Sequence, residues 1–338
     1  NVSVPGNLTL TIEPGVNVKF DGNFELKIDG KLTAAGTAAN NIVFDSNQNP
    51  PAAGQWKSLR FTSTSQGNTT DYLVVKHATT AIDVNNTPLN LKNTQIESNT
   101  TGLLLAGSLA NVSLTQSTVR FNGTGIKVDS GATAGITQNT IDQNTIGIDI
   151  LNNAKATMTG NTINAGTTGI SYTVSQSSPN VPLINNNNIT SQTQWQIKTS
   201  SSVNSSRVII NAKNNWWGTT NTQQISSKIQ DYTDNANYPV VEFSYPLNAA
   251  NGQPLQTLTH SGFISANTTW TKLLTHIIVG NVTVDPAVLL TVDAGALVKF
   301  DGYQIDINGT LNAQGTSTER IFFTSNLANP SRGSWQKI

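Results

Sequence analysis

The chain contains no cysteine and a single methionine, Met158. Asp, Glu, Lys and Arg together make up only 11% of its 338 residues, and they cancel to a net charge of zero. Without cysteine there is no disulfide framework and no thiolate metal site. A neutral, charge-poor chain has no basic stripe for phosphates and no polybasic segment for anionic lipid, so neither nucleic acid nor a membrane surface is an expected partner. No apolar run is long enough to span a bilayer. The opening "NVSVPG" carries no initiator Met and no signal peptide, which reads as a mature or excised segment. Asn, Thr, Ser and Gly stand where charges would be, interleaved with Val and Ile. That frequency of β-branched residues argues for a folded β protein rather than disorder.

Internal repeats dominate. From residue 72 to about 217, apolar positions recur roughly every 22 residues in three columns. The first runs Val75, Ile96, Val119, Ile141, Ile163, Ile189, Trp216. The second runs Ile82, Leu103, Ile126, Ile148, Ile170, Ile197. The third runs Leu91, Leu114, Ile136, Met158, Ile184 and then Ile209 or Ile210. Each position sits in a short alternating segment such as "GIDI" (147–150), bounded by Gly, Asn or Asp, which is the pattern of a half-buried strand between turns. Strands this short cannot form an ordinary hairpin sheet. Stacked coil on coil, each pairs with its equivalent one turn later, giving an all-β parallel β-helix with three short strands per coil.

The register predicts a file of outward residues about 4.8 Å apart: Lys76, Glu97, Arg120, Asp142. Their signs alternate, as stacked neighbours should. Lys127 falls beside Asp149 in the same way. Asn99, Asn122 and Asn144 share one turn position, and Asn139, Asn161 and Asn187 share another. Stacked amides can satisfy each other there.

"NTIDQNTIGI" (139–148) and "NTINAGTTGI" (161–170) resemble the repeats of the right-handed parallel β-helix superfamily, NosD-like and pectate-lyase-like. "NNWWGT" (214–219) with "VVEFSYPL" (240–247) is similar to the way many such extracellular units end. The resemblance covers most of residues 1–247. It implies the fold, and it spans lyases, hydrolases, epimerases and purely structural surface proteins.

A longer period overlies the short one. "NVSVPGNLTLTIEPGVNVKFDG" (1–22) aligns without gaps to "NVTVDPAVLLTVDAGALVKFDG" (281–302). "PAAGQWKSL" later matches "PSRGSWQKI". The reading is therefore a β-helix unit over 1–247, a polar linker over 248–262, and the beginning of a second tandem unit over 263–338. "NTQQISSKIQDY" (221–232) is expected to form a short cap helix over an open end.

Candidate sites are sparse. Asp83 and Asp149 share an outward column three rungs apart, about 14 Å at the strand spacing, which is too far for a glycosidase pair. Asp129 follows a strand core, and Asp142 lies beside Arg120. His77, His260 and His276 belong to no metal or nucleophile motif. By phase Trp216 points inward and Trp217 outward, while Trp56 and Trp335 recur in the long repeat. Trp195, Trp217 and Tyr172 are the candidate glycan contacts, with core packing as the alternative. No cofactor is indicated, and calcium is suggested by no motif. Twelve N-x-S/T sequons occur where this Asn, Ser and Thr content predicts about nine by chance, so the count is no evidence for glycosylation.

The expected function is an extracellular, cell-surface repeat protein that is structural or adhesive and partnered by neighbouring copies or tandem units. The alternative is a carbohydrate-active or glycan-binding module acting on polysaccharide. A third reading, ice binding through Thr ladders, is disfavoured by their irregular spacing.

Overall fold

The computed structural model describes residues 1–338. They form two compact units, Asn1–Leu183 with Asn187–Lys198, and Ile184–Asn186 with Thr199–Ile338. The first unit is a parallel β-solenoid of three sheets. One stacks strands from Val2–Val4 and Glu25–Ile28 through Thr80–Asn85 and Thr124–Asp129 to Thr168–Val174. The next runs from Thr9–Ile12 to Lys155–Thr159, and the third from Asn17–Phe20 to Asn188–Thr190. Every strand pairing in it is parallel. Leu59, Ile82, Leu103, Ile126, Ile148 and Ile170 fall in one register on the first sheet. All six are at most 1% exposed. Burying a side chain of this size contributes about 1.5–3 kcal/mol, so these inward files supply most of the unit's cohesion.

The turns have their own logic. His77, Ser98, Phe121, Gln143, Ala165 and Ser191, each the residue after a third-sheet strand, take φ between 50° and 67°. For non-glycine residues this left-handed geometry costs roughly 1 kcal/mol each. Stacked amides offset it. Asn99 Nδ2 donates to Asn122 Oδ1 at 3.0 Å and Asn122 Nδ2 to Asn144 Oδ1 at 2.9 Å. The same amides reach backbone carbonyls inside the coil, Val75 O at 3.2 Å and Ile96 O at 3.1 Å. A second file links Asn139, Asn161 and Asn187 at 3.0 and 2.9 Å. The sequence reading stopped this second file too early. Ser117 N donates to Asn139 Oδ1 and Thr94 N to Ser117 Oγ, so smaller hydroxyl residues continue it. Where the first file passes the first sheet, only glycine fits: a Cβ on Gly125 would lie 2.6 Å from Gly147 O and 3.1 Å from the Asn144 amide.

In the second unit, Thr257–Ile264, Thr275–Val284, Leu297–Phe300 and Phe322–Ser325 form a parallel sheet, and Thr268–Trp270, Leu289–Val292 and Thr310–Ala313 form another. Residues 257–262, expected to be linker, thus belong to a strand. The ten-residue Thr275–Val284 serves two faces. Its first half pairs with Leu297–Phe300 and its last three residues with Ile305–Ile307. Trp270, Ile278, Val284, Leu290, Val298 and Phe300 form the core.

The expected cap helix is a single turn, Thr222–Ser226, capped by the Asn221 side chain accepting from Gln224 N at 3.1 Å. It is not an end cap. It packs on the strand Thr275–Val284, and Thr222 Oγ1 donates to Asp301 Oδ2 at 2.6 Å. Ile229, expected to continue the helix, begins the strand Ile229–Gln230. The Trp pair is also reversed: Trp217 is 2% exposed, set edge-on to Phe243, while Trp216 is half-buried.

Two histidines join this unit's core. His260 Nε2 lies 3.0 Å from His276 Nδ1, and His276 Nε2 lies 3.0 Å from Thr271 O, with both rings stacked against Trp270. This chain of contacts is closed when both imidazoles are neutral and His276 donates to the carbonyl. Burial pushes the His260 pKa down to about 3, and the neighbouring His276 adds to the shift. Burial lowers His276 too, against its hydrogen bond to Thr271.

Two consequences are measurable. Asn122→Ala removes the acceptor of the buried Asn99 backbone N–H and a donor to the Ile96 carbonyl, and should cost about 2–4 kcal/mol in urea unfolding. Asn7→Ala, at an exposed turn, should stay within about 0.5 kcal/mol. The unfolded chain binds protons at histidine near pH 6.5 while folded His260 does not. Stability should therefore decline as pH falls below 6.5 towards 3, at up to about 1.4 kcal/mol per pH unit. His260→Gln should flatten that slope between pH 6.5 and 5.

Candidate functional site

The outward face of the third sheet carries a long polar file. Cα partners run Lys76 to Glu97, Glu97 to Arg120, and Arg120 to Asp142. Of these neighbours, Arg120 Nε and Glu97 Oε2 form a close ion pair at 2.8 Å. The file is longer than the sequence suggested. Lys19 stands beside Asp45, 2.7 Å from Nζ to Oδ2, and Lys76 Nζ lies 3.8 Å from the same carboxylate. At the other end Asn164 Nδ2 donates to Asp142 Oδ1 at 3.0 Å, and Thr190 Oγ1 to Asn164 Oδ1 at 3.3 Å. Lys19 and Asp45 escaped sequence reasoning because the coils around them are 26 and 31 residues long, outside the 22-residue period. The sign alternation of the file is the one signal that could have found them.

Asp45 is the hub of this file. Its side chain is 8% exposed and also meets His77 Nδ1 at 2.6 Å. Burial alone would raise its pKa, but hydrogen bonds from Lys19 and His77 outweigh it and hold the carboxyl below the ordinary range. A carboxylate so engaged anchors cations. It also orients the His77 ring, which the sequence had marked only as lacking a motif.

The first sheet presents a second file. Lys27, Arg60, Asp83, Leu104, Lys127, Asp149 and Ser171 follow in register. Here two cations are neighbours, and each has an acidic partner. Lys27 Nζ lies 2.9 Å from Asp29 and Arg60 Nε 3.5 Å from Asp83, while Lys57 Nζ and Glu25 are 2.7 Å apart close by. Lys127 sits beside Asp149 in register, but its ammonium lies 3.7 Å from Asp129. Burial raises the pKa of Asp83 against the pull of Arg60, and raises that of Asp149 against a hydrogen bond from Ser171 and the charge of Lys127. The two carboxyls remain three rungs apart, so no single bond can lie between them as a glycosidase pair requires.

The aromatic candidates separate. Tyr172 continues the inward file after Ile150, is 2% exposed and donates its hydroxyl to Asn180 O at 2.7 Å. Burial pushes its pKa up to about 12. Tyr172 and Trp217 are thus core residues, Tyr172 by the inward phase of its strand and Trp217 through its packing on Phe243. Trp195 is half-buried at the start of the strand Trp195–Ser201 and is the one candidate left with an accessible face. Trp56 and Trp335 are packing residues, stacked at 4.0 Å on Phe20 and 4.4 Å on Phe300. No group of three or more His, Asp or Glu side chains converges in the way a metal ion requires. No helix is long and apolar enough to cross a membrane.

Comparison with known proteins agrees with this geometry. No curated protein matches significantly. Among solved structures, the crystal structure of alginate lyase from Paenibacillus sp. str. FPU-7 is similar at 15% identity and a TM-score of 0.28, covering 90% of this chain and 99% of that one. A likeness at that level carries no argument about activity. Residues 59–215, the stretch that holds the regular coils, the amide files and most of the charged ladder, match the family described as "Right handed beta helix region".

Proposed function

We propose that this chain is a structural or adhesive repeat protein of the cell surface, in which β-helix units form a stiff rod, sheath or filament. The observation that carries this reading is that the long repeat preserves contacts as well as letters. Phe20 stacks on Trp56 as Phe300 does on Trp335. Asn47 donates to Asp21 as Asn326 does to Asp301, at 3.3 and 2.9 Å. A duplicated unit that keeps its packing and lacks a convergent reactive cluster has the properties of a building element. Its partners in this reading are neighbouring copies or tandem units.

A second reading rests on the first-sheet file. Asp83 and Asp149 are desolvated carboxyls on an outward face that also holds Lys27, Arg60 and Lys127, with Trp195 farther along the sheet. Such a face would suit an extended polysaccharide lying across the rungs, bound or cleaved, with calcium as an aid supplied from solution.

The two readings separate by experiment. On the first, immuno-electron microscopy of the native source places the chain in ordered surface fibres or a sheath, and the protein leaves acidic and neutral polysaccharides intact with or without added calcium. Depolymerisation that disappears in Asp149→Asn, or in Asp83→Asn, would overturn the first reading in favour of the second.

A further inference from the structure

Lys76, Glu97, Arg120 and Asp142 stand on four successive strands in the middle of the third sheet, and their signs alternate. Such a file is its own complement when turned end for end. Consider a second copy laid face to face on this sheet with its solenoid axis reversed, about a two-fold between the Glu97 and Arg120 strands. Lys76 then faces Asp142 and Glu97 faces Arg120, twice each. The Glu97–Arg120 ion pair of each copy, 2.8 Å within the chain, joins that of the other in a square of alternating charge. Asp142, which meets only the Gln143 and Asn164 amides at 2.9 and 3.0 Å, gains a cation. A copy laid with its axis in the same direction would instead set Lys76 on Lys76 and Glu97 on Glu97. Electrostatic matching therefore selects the reversed arrangement and rejects the other.

The rest of the face agrees. Its other outward file, Val74, Gln95, Thr118 and Thr140, carries no charge. Farther out, Asp45 and Lys19 fall opposite Asn164 and Thr190, so like charges are nowhere opposed. Phe121 is a separate observation. It holds the corner one residue past Arg120, with φ 57°, and is 47% exposed. A bulky residue is uncommon in that geometry. The equivalent corners carry Ser98, Gln143 and Ala165. The Arg120 guanidinium lies 5.3 Å from the Phe121 ring centroid and covers only part of it. Across the two-fold the two Phe121 corners fall on adjacent levels, about 4.8 Å apart along the axis, which brings the rings beside each other. Aromatic and Arg side chains at the centre of a patch are the usual anchors of an interface.

We propose that the outward face of the third sheet is an interface for a second copy of this chain in the reversed orientation, centred between Glu97 and Arg120 and anchored by Phe121. In taking a copy of the chain as partner, this rests on the building-element reading; it adds the face, the orientation and the residues that select them.

Sedimentation velocity of the full 338-residue chain should show a monomer–dimer equilibrium. It should weaken about tenfold or more when ionic strength rises from about 0.05 to about 0.5 M, and as much in Phe121→Ser. Two double variants of unchanged net charge separate an interface from a ladder that serves only its own fold. Glu97→Arg with Arg120→Glu creates two like-charged neighbours within the chain but leaves every opposition across the two-fold favourable. Arg120→Glu with Asp142→Arg creates one such neighbour but opposes like charges throughout the interface. The first should still dimerise and the second should not, whereas urea midpoints should rank them the other way. The proposal is overturned if the chain stays monomeric up to about 1 mM, if the first double variant loses association or the second keeps it, or if Phe121→Ser changes nothing. A monomeric chain whose native source nonetheless shows surface fibres would sink this interface alone; a dimer from a source without fibres would sink only the building-element reading.

Discussion

The fold depends on satisfying backbone at the turns. A three-sided coil must reverse direction within a few residues, and each corner points peptide groups towards an interior filled with Ile, Val and Leu. The Asn files meet that demand. Each amide bonds to the amide of the next rung and to carbonyls of the coil below, so a corner is complete only when its neighbours are in place. This makes stability a property of stacking rather than of a single coil. It also explains how non-glycine residues such as Phe121 and Gln143 hold left-handed geometry: the Asn that follows each one fixes the corner.

Outside the barrel of aliphatics, charge is used sparingly and mostly in pairs. Asp45 shows the pattern, a nearly buried carboxylate shared among Lys19, Lys76 and His77. Exposed ion pairs contribute little to stability, often below about 1 kcal/mol. Their value here is in register, because each marks which strand lies beside which. The same pairing engages most of the charged side chains in these files.

Much of this was legible in the sequence, for physical reasons. A strict period places equivalent residues in one file, so Ile82 through Ile170 could be read as inward and Lys76 through Asp142 as neighbours. Legibility ended where the period did. Lys19 and Asp45 sit on longer coils and were missed. Beyond Ile163 the spacing widens, the phase could not be carried forward, and Trp216 and Trp217 were exchanged. Tyr172 was misjudged for another reason: its aromatic ring was read as a surface for stacking a sugar, while the strand phase shared with Ile150 already placed it inside. The helix at 222–226 was foreseen from Ile225 and Ile229, but spacing alone could not show that its apolar side meets the flank of a strand.

The alternating third-sheet file has a bearing on how such a protein can change length. Losing the single coil that carries Glu97 would bring Lys76 against Arg120, and losing the one that carries Arg120 would bring Glu97 against Asp142. Losing both of these coils would set Lys76 against Asp142 and restore opposite neighbours in this file. The solenoid's shape would tolerate either event, but the charges of this one file discriminate between them.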